Sequence, residues 1–258
     1  MKKGIITLVI LSLGWTIIFA QLNESDTLRY QFRANLTGTY QQGNVSLMVI
    51  RSKVDFTFAD KNNWAFKSQN SSLYQAFAVK ADNDIFSRNY LYFKPQNTIY
   101  PFGIAYISTN YRRKIESRLF AGAGATWQLI RSKSSVLKVS TNAVYEITQF
   151  NGNTFNYAEF NGNDKNKVWR GTLYMAGWHN LLEKHLRLYY DAYWQPAFEN
   201  SHDYRIEYDI GLDFPVWKGF SFNILYTYKH ENLVITKIKP GDKILTFGLA
   251  YNFKQNHH

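Results

Sequence analysis

Lys243-Ile244-Leu245-Thr246-Phe247-Gly248-Leu249-Ala250-Tyr251-Asn252-Phe253-Lys254 alternates without a break. A strand turns successive side chains to opposite faces, so Leu245, Phe247, Leu249, Tyr251 and Phe253 share one face. Thr246, Gly248, Ala250 and Asn252 share the other. A soluble sandwich contains such strands too. Repetition decides between the two, because about twelve segments of this kind follow one another along the chain.

The first, 28–40, sets Tyr30, Phe32, Ala34 and Leu36 against Arg29, Gln31, Arg33 and Asn35. The second, 47–58, sets Met48, Ile50, Val54, Phe56 and Phe58 against Arg51, Lys53, Asp55 and Thr57. Segments near 63–78, 86–94 and 99–111 are less regular. The sixth, 118–130, alternates Leu119, Ala121, Ala123, Ala125, Trp127 and Leu129 with Gly122, Gly124, Thr126 and Gln128. Others run near 136–149, 168–178, 186–194, 204–214 and 220–228. Helical periodicity is hard to find among them, and the five prolines stand at or beside segment ends, where a missing donor does least harm.

An open sheet in lipid leaves its edge groups unpaired, so strands that cross a membrane must close on themselves. The expected fold is all-β, an antiparallel up-and-down transmembrane β-barrel of about twelve strands over 28–254, with 255–258 as a disordered tail. The 19 Tyr, 19 Phe and 7 Trp suit aromatic girdles at the two membrane interfaces.

Met1-Lys2-Lys3, an apolar run from Gly4 to Phe19 and then Ala20 match a secretory signal peptide over 1–20. A membrane anchor is the alternative, because the run approaches the lower limit for spanning. Residues 21–27 are expected to form a short periplasmic lead. No cysteine is present, so neither disulfides nor a cysteine-linked lipid enter. The net charge of +11 on a secreted chain points to outer-membrane lipid, lipopolysaccharide or small acidic solutes as partners rather than nucleic acid.

Loop lengths suggest an orientation. With a periplasmic first strand, connections after even strands are short, as at 59–62, 95–98, 131–135, 180–184 and 215–219. Those after odd strands tend to be longer: 150–167, 195–203 and 230–242 are long, 79–85 is intermediate, and 41–46 and 112–117 are short. Both termini then lie in the periplasm of a Gram-negative outer membrane. The 150–167 connection is expected to be a hairpin rising above the membrane. Folding inward, or binding a sugar or a partner, is its alternative. Leu233–Ile238 is expected to continue a strand into an external hairpin.

Gly38-Thr39-Tyr40-Gln41-Gln42-Gly43-Asn44 and Arg118-Leu119-Phe120-Ala121-Gly122-Ala123-Gly124 resemble the family called domain of unknown function 481. That family opens with a strand ending in Gly-Asn and later carries an Arg leading a glycine-rich strand. The chain departs from the pattern at Arg112-Arg113-Lys114, basic where an acidic residue is expected. The family includes a protein described as salt-induced, and the resemblance implies an outer-membrane barrel with no established activity.

Charges facing lipid near the midplane cost about 2–4 kcal/mol for Arg or Lys, so the charged positions of the strands belong to the lumen. The candidate wall is Arg29, Arg33, Arg51, Lys53, Asp55, Arg187, Asp191, Arg205, Glu207, Asp209 and Asp213, with Lys138, Glu146 and Arg170 on the segments near 136–149 and 168–178. It suits either a plugged interior of paired charges or a narrow pore favouring anions. The first makes the protein a structural or envelope-stress barrel, and the second a channel for small solutes. A lipid-modifying enzyme ranks below both. Ser201-His202-Asp203 is contiguous, and adjacent side chains do not naturally converge as a nucleophile and its base. His179, His185 and His230 have no such partner in sequence, and no cofactor or metal motif is found.

Overall fold

A computed structural model describes residues 24–25, 28–41, 47–60, 63–77 and 80–255. The signal peptide at 1–20 and the last residues, 256–258, lie outside the described residues. So does most of the expected lead.

Twelve strands run in sequence: β1 Tyr30–Gln41, β2 Leu47–Ala59, β3 Trp64–Phe77, β4 Lys80–Phe93, β5 Ile99–Asn110 and β6 Ile115–Arg131. Then come β7 Ser135–Phe150, β8 Lys165–Leu181, β9 Leu186–Pro196, β10 Tyr204–Trp217, β11 Phe220–Glu231 and β12 Gly241–Gln255. Each pairs antiparallel with its neighbours in sequence, and β1 pairs with β12 from Tyr30↔Gln255 to Gly38↔Phe247. The sheet is thus a closed up-and-down barrel of twelve strands, an even number as bacterial barrels have. The stretch 243–254 is the seam, and its strand runs one residue further than expected, to Gln255.

The seam needs small residues. A Cβ on Gly248 would stand 2.1 Å from the Leu36 carbonyl oxygen on β1, a backbone atom that cannot yield without opening the ladder. Pro215 sits beside a register shift in β10, a tolerated place for a residue without a donor.

Sidedness is the reverse of a soluble protein. Leu36, Leu249, Phe247, Leu173 and Ile210 point outward and are exposed, while Gln31, Thr57, Asn223 and Thr246 point inward and are fully buried. Outward aromatics gather toward the two rims. Trp64, Trp217, Phe220 and Phe253 lie toward the short-turn end, and Tyr40, Tyr145, Trp169 and Trp194 toward the long-loop end. Such girdles seat a barrel at both membrane interfaces.

The loops differ from expectation in three places. Residues 80–85 are strand, since β4 pairs with β3 down to Phe77↔Lys80, so no intermediate loop stands there. The 150–167 connection is not a rising hairpin. It carries a short 3-10 turn, Ala158–Phe160, and its Phe155 bridges to Ile235 of the 232–240 loop. Nor does Leu233–Ile238 continue a strand, because Leu233 and Ile235 bury themselves with Phe155, Phe150 and Ile115. Apolar side chains on both loops would be stranded in water as upright hairpins, and laying them against each other removes that surface. Tyr157 stacks on His202 of a third loop at 4.5 Å. Arg113, on the 111–114 turn, donates to the Pro240 carbonyl at 3.1 Å and to Asp242 at 2.8 Å.

Leu249→Arg, in the middle of the outer face of β12, should cost about 2–4 kcal/mol if that face meets hydrocarbon. The measurement is the urea midpoint together with the fraction migrating as a compact band in unheated SDS electrophoresis. Parent-like values would place Leu249 away from lipid.

Candidate functional site in the barrel lumen

Residues paired directly across an antiparallel ladder point the same way, so one inward residue fixes the facing of its partners on both sides. Asp209 pairs with Asp191 on one side and Thr227 on the other, and Asp213 pairs with Arg187 and Asn223. By this rule and by burial, the candidate wall residues of the strands face inward. Arg29 does not belong with them. It precedes β1, is exposed, and lies over the Tyr30 ring at 5.2 Å. It stands at the rim, where its carbonyl still accepts from the Ala59 amide at 2.9 Å while its side chain is exposed.

The inward charges are largely paired. Arg33 grips Asp213 with both terminal nitrogens, at 3.0 and 3.2 Å, and also donates to Asn252 at 3.1 Å. The Tyr189 ring lies 5.1 Å from its guanidinium, in space left by Gly211, where a Cβ would meet that ring at 2.0 Å. Arg51 and Lys53 approach Asp209 at 3.9 and 3.8 Å, and Thr227 accepts from Arg51 at 2.6 Å. Lys229 pairs with Glu207 at 3.2 Å, and the Tyr193 hydroxyl donates to the same carboxylate at 2.9 Å. Arg187 lies over the Trp178 ring at 4.4 Å and donates to Asn180 at 2.7 Å. Asp55 stands in register with Arg33, and both it and Asp191 are buried.

The densest cluster is centred on Glu146, which is fully buried. Arg205 binds it, Arg170 approaches at 3.1 Å and Arg118 at 3.6 Å. Arg118 also forms a two-pronged pair with Glu231, at 2.9 and 2.7 Å. Arg170 sets one terminal nitrogen between both Asp203 carboxylate oxygens, at 2.8 and 2.7 Å, and the other on the Asp203 carbonyl at 3.1 Å. The shape of guanidinium, a fixed fork of donors, suits such shared carboxylates. Asp203 is therefore committed inward, whereas His202 is exposed and meets Glu159 at 3.0 Å. Hydrogen bonds from Asn200 and His202 hold the Glu159 carboxyl below its ordinary value. Ser201-His202-Asp203 thus makes no triad.

Two features were not read from the sequence. The first is Glu24. Instead of lying in a periplasmic lead, it is buried in the short-turn end of the lumen. Lys138 donates to it at 2.7 Å, the Tyr100 hydroxyl at 2.9 Å and Lys67 at 3.4 Å. Arg131 donates to the Ser25 carbonyl at 2.7 Å, fastening the same segment. A lone carboxylate in a short polar stretch gives no periodic signal.

The second is an aromatic wall on β4, β5 and β6. Tyr90, Tyr92, Tyr100, Phe102 and Ile104 form a buried inward cluster, and Tyr106 stacks on Phe120 at 4.4 Å. Along 99–107 both faces are apolar or small, so alternation alone cannot tell inside from outside. The cue was in the pairing, because Phe102 stands opposite Gly124 and Tyr106 opposite Phe120 on the better-patterned β6. A cavity of about 70 Å³ runs along this wall, from Glu24 and Lys138 to Arg118 and Arg205. A separate, wide recess at the long-loop end is lined by Gln75, Arg112, Lys114 and Asp242.

A family model described as "Protein of unknown function, DUF481" matches residues 34–253. No curated protein matches the chain. Among solved structures, the chain is similar to the NanC porin, at 9% identity and a TM-score of 0.51, covering 85% of this chain and 100% of that one. It is also similar to the translocator domain of autotransporter NalP from Neisseria meningitidis, at 12% identity and a TM-score of 0.47, covering 90% and 91%. OmpT, an outer membrane protein of Vibrio cholerae, matches at 8% identity and a TM-score of 0.41, covering 91% and 100%. At these identities the NanC likeness speaks for the barrel fold alone.

Removing the shared carboxylate leaves three guanidinium groups facing one another in a confined space. Glu146→Ala should destabilise the barrel by about 3–5 kcal/mol, the cost of stranding buried charge. Urea unfolding followed by tryptophan fluorescence measures it, and a loss under about 1 kcal/mol would show these arginines to be well hydrated without Glu146.

Proposed function

The chain belongs to the DUF481 family, whose description assigns no activity, and from that premise we propose that it is a closed, non-conducting barrel of the Gram-negative outer membrane. Its role is structural or tied to envelope stress, and it is not an enzyme. Both termini lie on the periplasmic side, where the short turns gather, and the outer face meets outer-membrane lipid and lipopolysaccharide.

The observation that carries this reading is the Arg118–Glu231 pair. β6 and β11 stand five strands apart around a barrel of twelve, nearly opposite one another, yet these side chains meet at 2.7 Å. The pair therefore crosses the lumen. Arg33–Asp213 and Arg51–Asp209 join strands three and four apart in the same way. Above them the Arg113–Asp242 contact spans the mouth, and below them Glu24 fills part of the other end. Salt screens exposed pairs and leaves buried ones largely intact, so physiological ionic strength does not dissolve such a plug.

A second reading, a narrow path for small solutes, has one observation in its favour. A small recess lined by Arg51, Asp84, Tyr106, Glu207 and Lys229 lies between β2–β5 and β10–β11 and shares lining residues with both the mouth and the aromatic cavity. Such a path, with an excess of cations, would favour anions.

Purified protein in planar bilayers should remain electrically silent. An Arg118→Ala, Glu231→Ala double variant, with the crossing pair removed, should show current steps. Steady unitary conductance from the parent protein would replace the closed reading with the channel.

A further inference from the structure

We propose that the aromatic cavity is a binding site for a small organic acid with a flat apolar body, an aryl carboxylate in chemical class, and that Arg88 receives its carboxylate. This site stands whether or not the barrel conducts.

Arg88 pairs in register with Gln69 on β3 and Tyr106 on β5, two inward residues, so it faces the lumen. Its guanidinium lies between rings, 5.5 Å from Phe86, 5.9 Å from Tyr106 and 5.8 Å from Tyr193. Among the described residues it has no hydrogen bond and no carboxylate within ion-pair distance. Every other inward arginine of the strands has at least one such partner, as Arg33, Arg51, Arg118, Arg170, Arg187 and Arg205 show. Arg88 lines the cavity, and no described residue takes any of its five donors.

The cavity's other groups define the rest of the ligand. Tyr90, Phe102, Phe120 and Tyr174 offer ring faces and edges, which favour a flat apolar body over a sugar or a metal ion. A guanidinium already held over aromatic rings keeps its donor plane available while its faces are covered, so a carboxylate can be taken in its plane. The chain also supplies an internal precedent. Glu24 places a carboxylate in the same cavity, on Lys138, Lys67 and Tyr100, so the cavity accommodates an anion beside rings. Glu24 stands at the short-turn entrance, and a ligand arriving from that side must pass it.

Benzoate is the probe, and benzamide, its neutral isostere, the control. Titration calorimetry on the folded protein in a zwitterionic detergent should show saturable benzoate binding, with benzamide at least tenfold weaker. Arg88→Gln should weaken benzoate at least tenfold without changing benzamide, and Arg88→Lys should restore part of the loss. Glu24→Gln should speed benzoate association in stopped-flow fluorescence. Absence of saturable benzoate binding in both the parent and Glu24→Gln overturns the site. So does equal affinity for benzoate and benzamide, which needs no variant to fold. Benzoate affinity unchanged in Arg88→Gln removes Arg88 from it.

Discussion

A backbone amide in hydrocarbon has no water to turn to. Each unpaired group there costs several kcal/mol, which leaves a spanning sheet no choice except to close. Here closure falls to β1 and β12, joined from Tyr30↔Gln255 to Gly38↔Phe247. Gly248 lets β12 approach the Leu36 carbonyl, so the small, inward residue of an oily strand is a condition of closure. Once the ring exists, the period of two on every strand acquires one meaning: odd or even, each residue belongs to lipid or to lumen.

That division concentrates charge. Side chains excluded from lipid share a lumen of limited width, and taking ionic groups out of bulk water is costly unless each finds a partner with good geometry. Around Glu146 the condition is met by sharing. Glu146 serves Arg205, Arg170 and Arg118, and Arg118 in turn reaches Glu231 on the far wall. Partners drawn from strands well separated in sequence brace the barrel from inside, in addition to the ladder that closes its wall.

The other side of the lumen is built differently. Tyr90, Tyr92, Phe102 and the Tyr106–Phe120 stack give β4–β6 an inner surface closer to a protein core than to a pore. Where the two regions meet, Arg88 lies among rings instead of carboxylates, and Glu24 brings a carboxylate in from outside the strands. The loops complete the enclosure at the opposite end through Phe155, Leu233 and Ile235. These features share a cause. Apolar and ionic groups shielded from bulk water settle against whichever wall offers them a match.

Much of this was legible along the chain. Leu249 and Phe247 outward, Thr246 and Asn252 inward, and the same contrast at Ile206–Glu207 and Leu188–Tyr189, follow from alternation alone. So does the need for closure, because a period of two with one oily side has no other stable form in lipid. The direction of Tyr90 and Phe102 was not legible, since β4 carries polar groups on both faces, as at Arg88 and Asn89, β5 is apolar or small on both along 99–107, and only pairing with β6 assigns them. Nor was the company of each charge. The sequence by itself determined a twelve-segment ribbon with lipid on one side and ions on the other. Only the tertiary structure decided that Arg118 meets Glu231, that Glu24 enters the lumen and that Arg88 lies among rings. Alternation is local, whereas the distance across a closed ring depends on all twelve strands at once.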